Sequence, residues 1–214
     1  MTSRHLSPAD ELIALIGDGL RTVLGPAPRP ERPNPAEGIA DPELSPGERD
    51  LSASLMRVDH AGEVCAQALY RGQAVTARRD KVQETMLRAA AEENDHLAWT
   101  DMRLRELGSY TSYLNPLWYA GSFLIGAIAG LAGDRWNLGF VAETERQVVA
   151  HLTGHLERLP VNDQKSRAIL EQMREDEGHH ATTAIEAGAA VLPDPAKALM
   201  RLTSKVMTGT AYWI

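Results

Sequence analysis

Apolar residues recur every three or four positions through most of the chain, the spacing that places them on one face of an α-helix. After the first 50 residues, this pattern predicts four helices, at about 50–78, 81–107, 136–159 and 163–191. Only short breaks separate the first two helices and the last two. The second break contains Pro160, which ends a helix, and Asn162 or Asp163 as an N-cap. Each pair is therefore predicted to form an antiparallel hairpin.

A longer segment, about residues 108–135, joins the two predicted hairpins. Two helical hairpins joined by one long crossover have the connectivity of a ferritin-like four-helix bundle. The composition agrees with this interpretation, since only 5% of the residues are aromatic while Ala and Leu are abundant. We therefore predict an all-α fold of the ferritin-like type, with one long apolar crossover.

The first 47 residues have a different pattern and are predicted to form an arm. Residues 8–23 have the apolar spacing of a short amphipathic helix. Residues 25–46 hold seven prolines, which prevent a helix and favour an extended tether. The chain is thus expected to divide into an N-terminal arm, residues 1–47, and a helical domain, residues 48–214.

Charge and cysteine content narrow the classes of function. A net charge of −7 without a dense basic tract disfavours nucleic-acid binding. Cys65 is the only cysteine, which excludes an intrachain disulfide and a cysteine-based metal site and suggests a reducing compartment. Asp10 and Glu11 interrupt the apolar run near the start, unlike a secretory signal, so a cytoplasmic location is expected.

Four glutamates and two histidines lie on the apolar stripes of the four predicted bundle helices. The second and fourth helices each carry a Glu-x-x-His pair, and the first and third each carry a single glutamate; the six residues are Glu63, Glu93, His96, Glu145, Glu177 and His180. An ionised carboxylate removed from water costs several kcal/mol unless it is paired or binds a metal. Two divalent cations would balance four such carboxylates, so the pattern predicts a dimetal site in the bundle core.

The spacing of the Glu-x-x-His pairs supports this site, because side chains three positions apart leave the same helical face. A single pair is common in helical proteins and is usually solvated, whereas two pairs and two matching glutamates support one another. His179 is an alternative ligand to His180, but only His180 is three positions after Glu177. Oxygen-rich ligands with one histidine per metal suit Fe(II) or Mn(II) better than zinc.

Three neighbouring residues are candidates for contact with the ligands. Asp176 could accept the second N–H of a metal-bound imidazole or be a surface acid. Tyr70 could line the site or only fill the core. His151 lies about 120° around the helix from Glu145, which suggests a role outside the coordination sphere, and His155 is expected to be exposed.

The crossover contains an uncharged stretch of 19 residues, 115–133. Its length alone would allow a membrane span. Its glycines and its place between two helices of one bundle favour a helix that lies in the membrane interface, with Trp118 and Tyr119 at headgroup level. The arm helix and the C-terminal stretch MTGTAYWI are further candidates for contact with lipid or a partner. Core packing or oligomerisation is the alternative for all three segments.

Four motifs together resemble the demethoxyubiquinone hydroxylases of ubiquinone biosynthesis: LMRVDHAGEVCAQALYRGQA, EENDHL, VAETERQVVAHL and REDEGHHATTA. The resemblance covers about residues 48–214. It implies a di-iron monooxygenase that uses dioxygen to hydroxylate the ring of a 2-polyprenyl-3-methyl-6-methoxy-1,4-benzoquinol. It also implies two iron ions per chain, bridged by Glu93 and Glu177, with no catalytic side chain beyond the ligands.

The polyprenyl tail of such a substrate implies a peripheral protein on the cytoplasmic side of the cell membrane, able to form a homo-oligomer or to bind another protein of ubiquinone biosynthesis. Two alternatives use similar ligands. One is an iron- or peroxide-handling protein of the ferritin or rubrerythrin type, and the other is a dimanganese catalase. Neither alternative needs a lipid-facing surface, so the apolar crossover favours the hydroxylase.

Overall fold

The computed structural model describes residues 7–41 and 43–214; residues 1–6 and Pro42 of the predicted arm lie outside the described residues. In this part of the chain there are seven α-helices and no β-strand: Pro8–Leu24 (α1), Pro46–Thr76 (α2), Asp80–Glu106 (α3), Asn115–Leu131 (α4), Asp134–Arg158 (α5), Gln164–Glu186 (α6) and Asp194–Ala211 (α7). The prediction of an all-α fold is confirmed.

The four predicted bundle helices correspond to α2, α3, α5 and α6. Helices α2 and α3 pack closely along each other, as do α5 and α6, and α4 is the crossover between the two hairpins. Asp163 caps α6 as the sequence predicts, since its side chain accepts a hydrogen bond from the Ser166 amide. The helical-bundle prediction is therefore confirmed.

The core of the bundle consists of two apolar layers, one on each side of a polar middle. The first layer contains Leu55, Trp99, Leu104, Leu152, Leu170 and Met173. The second contains Tyr70, Val82, Met86, Leu138, Val141 and Ala184. Each of the four helices contributes to both layers, so the residues between them lie at mid-height in the bundle. The buried glutamates of the sequence pattern occupy this middle.

Helix α4 packs directly against the backbone of α2 through glycines. A Cβ on Gly126 would come within 2.2 Å of the Leu69 carbonyl oxygen, and one on Gly72 within 2.1 Å of the Phe123 carbonyl oxygen. Only glycine allows such a close approach of two helices. Among the described residues, no helix combines the length and the apolar character that a membrane crossing requires.

Helices α1 and α7, which flank the bundle in the sequence, both pack on this body. Helix α1 is tied to α2 by an ion pair between Asp18 and Arg71, with 2.7 Å between oxygen and nitrogen. The fourth predicted helix ends at Glu186 rather than near residue 191, because Gly188 adopts a φ of +98°. Helix α7, which was not predicted as a separate element, follows this turn.

Candidate metal centre

The structure brings all six predicted ligands together in the middle of the bundle. Glu63 lies on α2, Glu93 and His96 on α3, Glu145 on α5, and Glu177 and His180 on α6. The five residues other than His180 are at most 2% exposed, and His180 is partly buried. Its neighbour His179 is exposed, so the histidine with the i+3 spacing is the one that faces the centre.

His96 is at the centre of the first half of the site. Its Nδ1 atom lies 3.0 Å from Oε2 of Glu93, 3.2 Å from Oε1 of Glu177 and 3.4 Å from Oε2 of Glu63. The four side chains present ligand atoms within 4.8 Å of one another. Donor atoms that each bind the same metal ion at about 2.0–2.2 Å lie at similar distances from one another.

His180 is at the centre of the second half. Its Nδ1 atom lies 3.1 Å from Oε2 of Glu177 and 3.8 Å from Oε1 of Glu93. Glu145 completes this group, since it presents a ligand atom within 4.8 Å of those from Glu177 and His180. Glu93 and Glu177 thus each face His96 with one carboxylate oxygen and His180 with the other.

The titration behaviour of the cluster follows from burial and crowding. Burial and the charge of Glu93 raise the pKa of Glu63 well above its usual value, and burial and the charge of Glu177 do the same for Glu145. Burial disfavours charged imidazoles, but their hydrogen bonds to carboxylates outweigh it and raise the pKa of His180 to about 11. Metal binding at such a centre displaces these protons.

Two buried carboxylate oxygens in the centre have no hydrogen-bond partner, Oε1 of Glu93 and Oε2 of Glu145. A buried carboxylate oxygen without a partner is costly unless a cation occupies the space before it. Four glutamates and two histidines supply enough ligand atoms for two hard, divalent ions with open positions. The residues present therefore fit a dimetal group.

The second ring nitrogen of each histidine also contacts a carboxylate. Nε2 of His96 lies 2.9 Å from Oδ2 of Asp176, and Nε2 of His180 lies 2.7 Å from Oε2 of Glu92. Such contacts fix the tautomer and the ring orientation of a metal-bound imidazole. Asp176 is predicted from the sequence as the partner of an imidazole nitrogen, but Glu92 is not. Several acidic residues surround Glu93, and their spacing does not show which of them contacts a histidine.

Tyr70 contacts the centre directly. Its hydroxyl donates a hydrogen bond to Oε1 of Glu145, and its ring lies edge-on to that of His180, with 6.4 Å between the ring centroids. The residue is only 2% exposed. Of the two possibilities for Tyr70, the structure therefore supports the one in which it lines the site.

His151 belongs to a different cluster, together with Asp59 and His155. It contacts Asp59 of α2, with 3.5 Å between Nε2 and Oδ1, and its ring lies 4.0 Å from that of His155. Nδ1 of His155 is 2.8 Å from the same oxygen of Asp59. The expectation that His155 is exposed is wrong, since it is only 4% exposed. Its partner Asp59 lies on α2, so the spacing of residues along α5 could not predict the contact.

The fold and the site define an all-helical bundle protein whose buried glutamates and histidines could bind metal ions. Comparison with known proteins identifies its family: residues 50–211 match the model of the family described as "Ubiquinone biosynthesis protein COQ7". The chain belongs to this family.

Close relatives are similar over their whole length. The 3-demethoxyubiquinol 3-hydroxylase of Nitrosococcus oceani is 59% identical over 214 residues, covering 100% of both chains. The proteins of the same name from Nitrosospira multiformis and Legionella pneumophila are 59% and 58% identical, and the matches cover 96% and 99% of this chain and 98% and 100% of theirs.

Proposed function

We propose that this protein is a 3-demethoxyubiquinol 3-hydroxylase, a di-iron monooxygenase of ubiquinone biosynthesis. Its substrates would be dioxygen and a 2-polyprenyl-3-methyl-6-methoxy-1,4-benzoquinol. The observation that carries the proposal is the complete set of four glutamates and two histidines, converging at mid-bundle in a chain 59% identical to proteins of that name. The iron-storage and catalase alternatives have no comparable support from the relatives.

The geometry supports a definite assignment of ligands. Glu63 and His96 would hold one ion, and Glu145 and His180 the other. Glu93 and Glu177 would bridge, because each already faces both imidazoles with its two oxygens. Two Fe(II) ions in this group supply the two electrons needed to activate dioxygen for insertion of one oxygen atom into the ring.

The chain's own residues orient the ligands and exclude water. Asp176 and Glu92 hold the outer nitrogens of the two imidazoles, and Tyr70 holds one oxygen of Glu145. The apolar layers on both sides of the centre keep bulk water away from it, which strengthens the electrostatic interactions inside. In this proposal no side chain acts as a nucleophile.

We propose that the protein binds its substrate at the membrane surface. Three helices on the outside of the bundle expose large apolar side chains, namely Ile13, Ile16, Leu20 and Leu24 of α1, Leu117, Leu124, Ile128 and Leu131 of α4, and Leu199, Leu202 and Val206 of α7. These helices adjoin each other: Gly19 of α1 packs on Tyr119, and Met207 of α7 shares an apolar cluster with Trp118.

An exposed apolar surface of this extent is typical of a membrane or protein interaction site. We propose that α1, α4 and α7 lie in the lipid interface, so that a polyprenyl tail stays in the bilayer while the ring enters the bundle. The free cysteine Cys65 agrees with a reducing compartment and hence with the cytoplasmic face.

The decisive experiment loads the purified protein with Fe(II) and supplies a short-tailed demethoxyubiquinol, a reductant and ¹⁸O₂. We expect two irons per chain and a product that carries one ¹⁸O atom. Glu177→Gln should abolish both results, whereas Glu171→Gln, at an exposed position of the same helix, should leave them unchanged. An iron-loaded wild-type protein that forms no hydroxylated quinol would overturn the proposal.

A second test uses the cell. Deletion of the gene in its host should cause the demethoxy quinone to accumulate, and a copy encoding the Glu171→Gln variant should restore ubiquinone. An unchanged ubiquinone profile in a host without a second hydroxylase would contradict the assignment.

A further inference from the structure

The N-terminal arm reaches the metal centre through Arg32. This residue lies in the proline-rich stretch between α1 and α2, outside the residues that match the family model. Its Nε atom donates to Oδ2 of Asp95 at 2.7 Å, and an NH2 group of the guanidinium lies 2.9 Å from Oδ2 of Asp176. One arginine of the arm therefore bridges carboxylates on α3 and α6.

The arm is fixed at this point by more than one contact. The Glu31 amide donates to Oδ1 of Asp95 at 2.6 Å, so two consecutive arm residues hold the same carboxylate. The Arg32 guanidinium also lies over the ring of Trp99, 4.9 Å from its centroid. These contacts place the guanidinium on the bundle in a defined orientation.

Asp176 connects Arg32 to a proposed metal ligand. The oxygen of Asp176 that faces Arg32 is the one that lies 2.9 Å from Nε2 of His96. Its other oxygen accepts a hydrogen bond from Gln172 at 3.0 Å. Arg32 and Gln172 thus hold the carboxylate in the position from which it orients the imidazole.

The other half of the centre is held differently. The corresponding partner of His180 is Glu92, whose side chain is 46% exposed, whereas that of Asp176 is 13% exposed. Water competes for an exposed carboxylate, so its orienting effect is weaker. The two halves therefore differ in how firmly their histidines are held.

We propose that Arg32 is a positioning residue for the metal centre: by holding Asp176, it fixes the His96 imidazole with Nδ1 toward the ion. This inference rests on the proposed dimetal site. It makes the arm part of the enzyme's metal-binding structure and predicts an asymmetric effect, in which loss of Arg32 weakens the ion at His96 more than the ion at His180.

The test compares Arg32→Met with Arg29→Met in the full-length protein. Both residues belong to the same arm and carry the same charge, but Arg29 is exposed. Each variant is loaded with ⁵⁷Fe(II), challenged with a chelator and followed by the rate of iron release and by Mössbauer spectroscopy. The metal-free proteins are melted in parallel.

For Arg32→Met we expect one of the two irons to be released about tenfold faster, since loss of such supporting contacts costs about 10- to 100-fold in metal affinity. The Mössbauer doublet of one iron should change while the other stays as in the wild type. Arg29→Met should match the wild type in both measurements. Arg32→Lys should restore the retention in part, because lysine keeps the charge but cannot span two carboxylates as a fork.

Two outcomes would overturn the inference. In one, Arg32→Met retains both irons with wild-type rates and spectra. In the other, it releases both irons equally and its metal-free form melts at a lower temperature, which indicates a structural role alone. A wild-type protein that binds no iron would instead refute the proposed function, so the two failures are distinguishable.

Discussion

The hydroxyl of Tyr70 on α2 donates a hydrogen bond to the carboxylate of Glu145 on α5, across the middle of the bundle. Burial and the negative charge of Glu145 both raise the pKa of Tyr70 well above its ordinary value. The hydroxyl therefore stays protonated at neutral pH and remains a donor. It fixes one oxygen of Glu145 and leaves the other, which has no hydrogen-bond partner, for a cation.

Replacing Tyr70 with Phe removes this donor and keeps the ring. We expect the ion held by Glu145 and His180 to be retained about tenfold less well, by the same reasoning as for other groups that orient ligands. Chelator competition with the iron-loaded protein measures the change. Tyr113→Phe, at a position that is 72% exposed, is the control. Equal retention in the two variants would show that the hydrogen bond does not support the centre.

The close approach of α4 to α2 gives a stability prediction. A methyl group on Gly126 would meet the Leu69 carbonyl oxygen at 2.2 Å, so Gly126→Ala must force the helices apart. We expect a loss of about 1–3 kcal/mol in the free energy of unfolding. Gly121→Ala, on the same helix with open space around it, should be neutral or should stabilise by up to about 1 kcal/mol. Denaturant unfolding of the pair measures the difference.

If Gly126→Ala were as stable as Gly121→Ala, α4 could not pack as closely on α2 as Gly126 and Leu69 indicate. Both substitutions replace glycine with alanine in the same helix, so the effect of alanine on helix propensity is the same in the two variants and cancels in the difference.

The cluster of Asp59, His151 and His155 predicts a pH dependence of stability. Burial opposes ionisation of Asp59, but the two histidines outweigh it and lower its pKa below the usual value. A carboxyl with a lowered folded-state pKa stabilises the fold above its unfolded-state pKa, about 3.9, and loses this contribution as the pH falls through the folded-state value.

Asp59→Asn should therefore destabilise the metal-free protein by about 1–3 kcal/mol at pH 7, and the difference from the wild type should shrink below about pH 4. Asp50→Asn, at an exposed position of the same helix, is the control. Unfolding by denaturant at a series of pH values measures the difference. A constant difference between pH 7 and pH 3 would show that ionisation of Asp59 contributes nothing.

The four bundle helices and their polar centre could be predicted from the sequence because both follow from the recurrence of apolar residues every three or four positions. Glu93 and Glu177 are visible as charges on otherwise apolar stripes, and a buried charge demands a partner. The same periodicity gives the height of each residue along its helix. Residues that share a stripe and a height are therefore expected to meet, and in the structure they do.

Other features depend on contacts between segments that carry no common pattern. Arg32 lies among prolines, and its partners Asp95 and Asp176 are more than 60 residues away in the chain. The spacing along α5 predicts that His155 is exposed, and only its contact with Asp59 of α2 explains why it is buried. Helix α7 begins at Asp194, beyond the end of the fourth predicted helix, and it is found only in the structure.

The exposed apolar face gives the last prediction, which concerns the membrane. Ile128 of α4 is 67% exposed, and a side chain of this size contributes about 1.5–3 kcal/mol when it is buried in an apolar phase. Ile128→Glu should therefore weaken binding to anionic lipid vesicles about tenfold or more, both by losing this contribution and by adding a negative charge.

The matched control is Val161→Glu, at a position in the turn between α5 and α6 that is 80% exposed and belongs to none of α1, α4 and α7. Its vesicle binding should equal that of the wild type. Co-sedimentation over a range of lipid concentrations gives both affinities, and the number of irons per chain shows that each variant is folded. Equal binding of the two variants would exclude α4 as the membrane contact and leave a partner protein or a second copy of the chain to cover its apolar face.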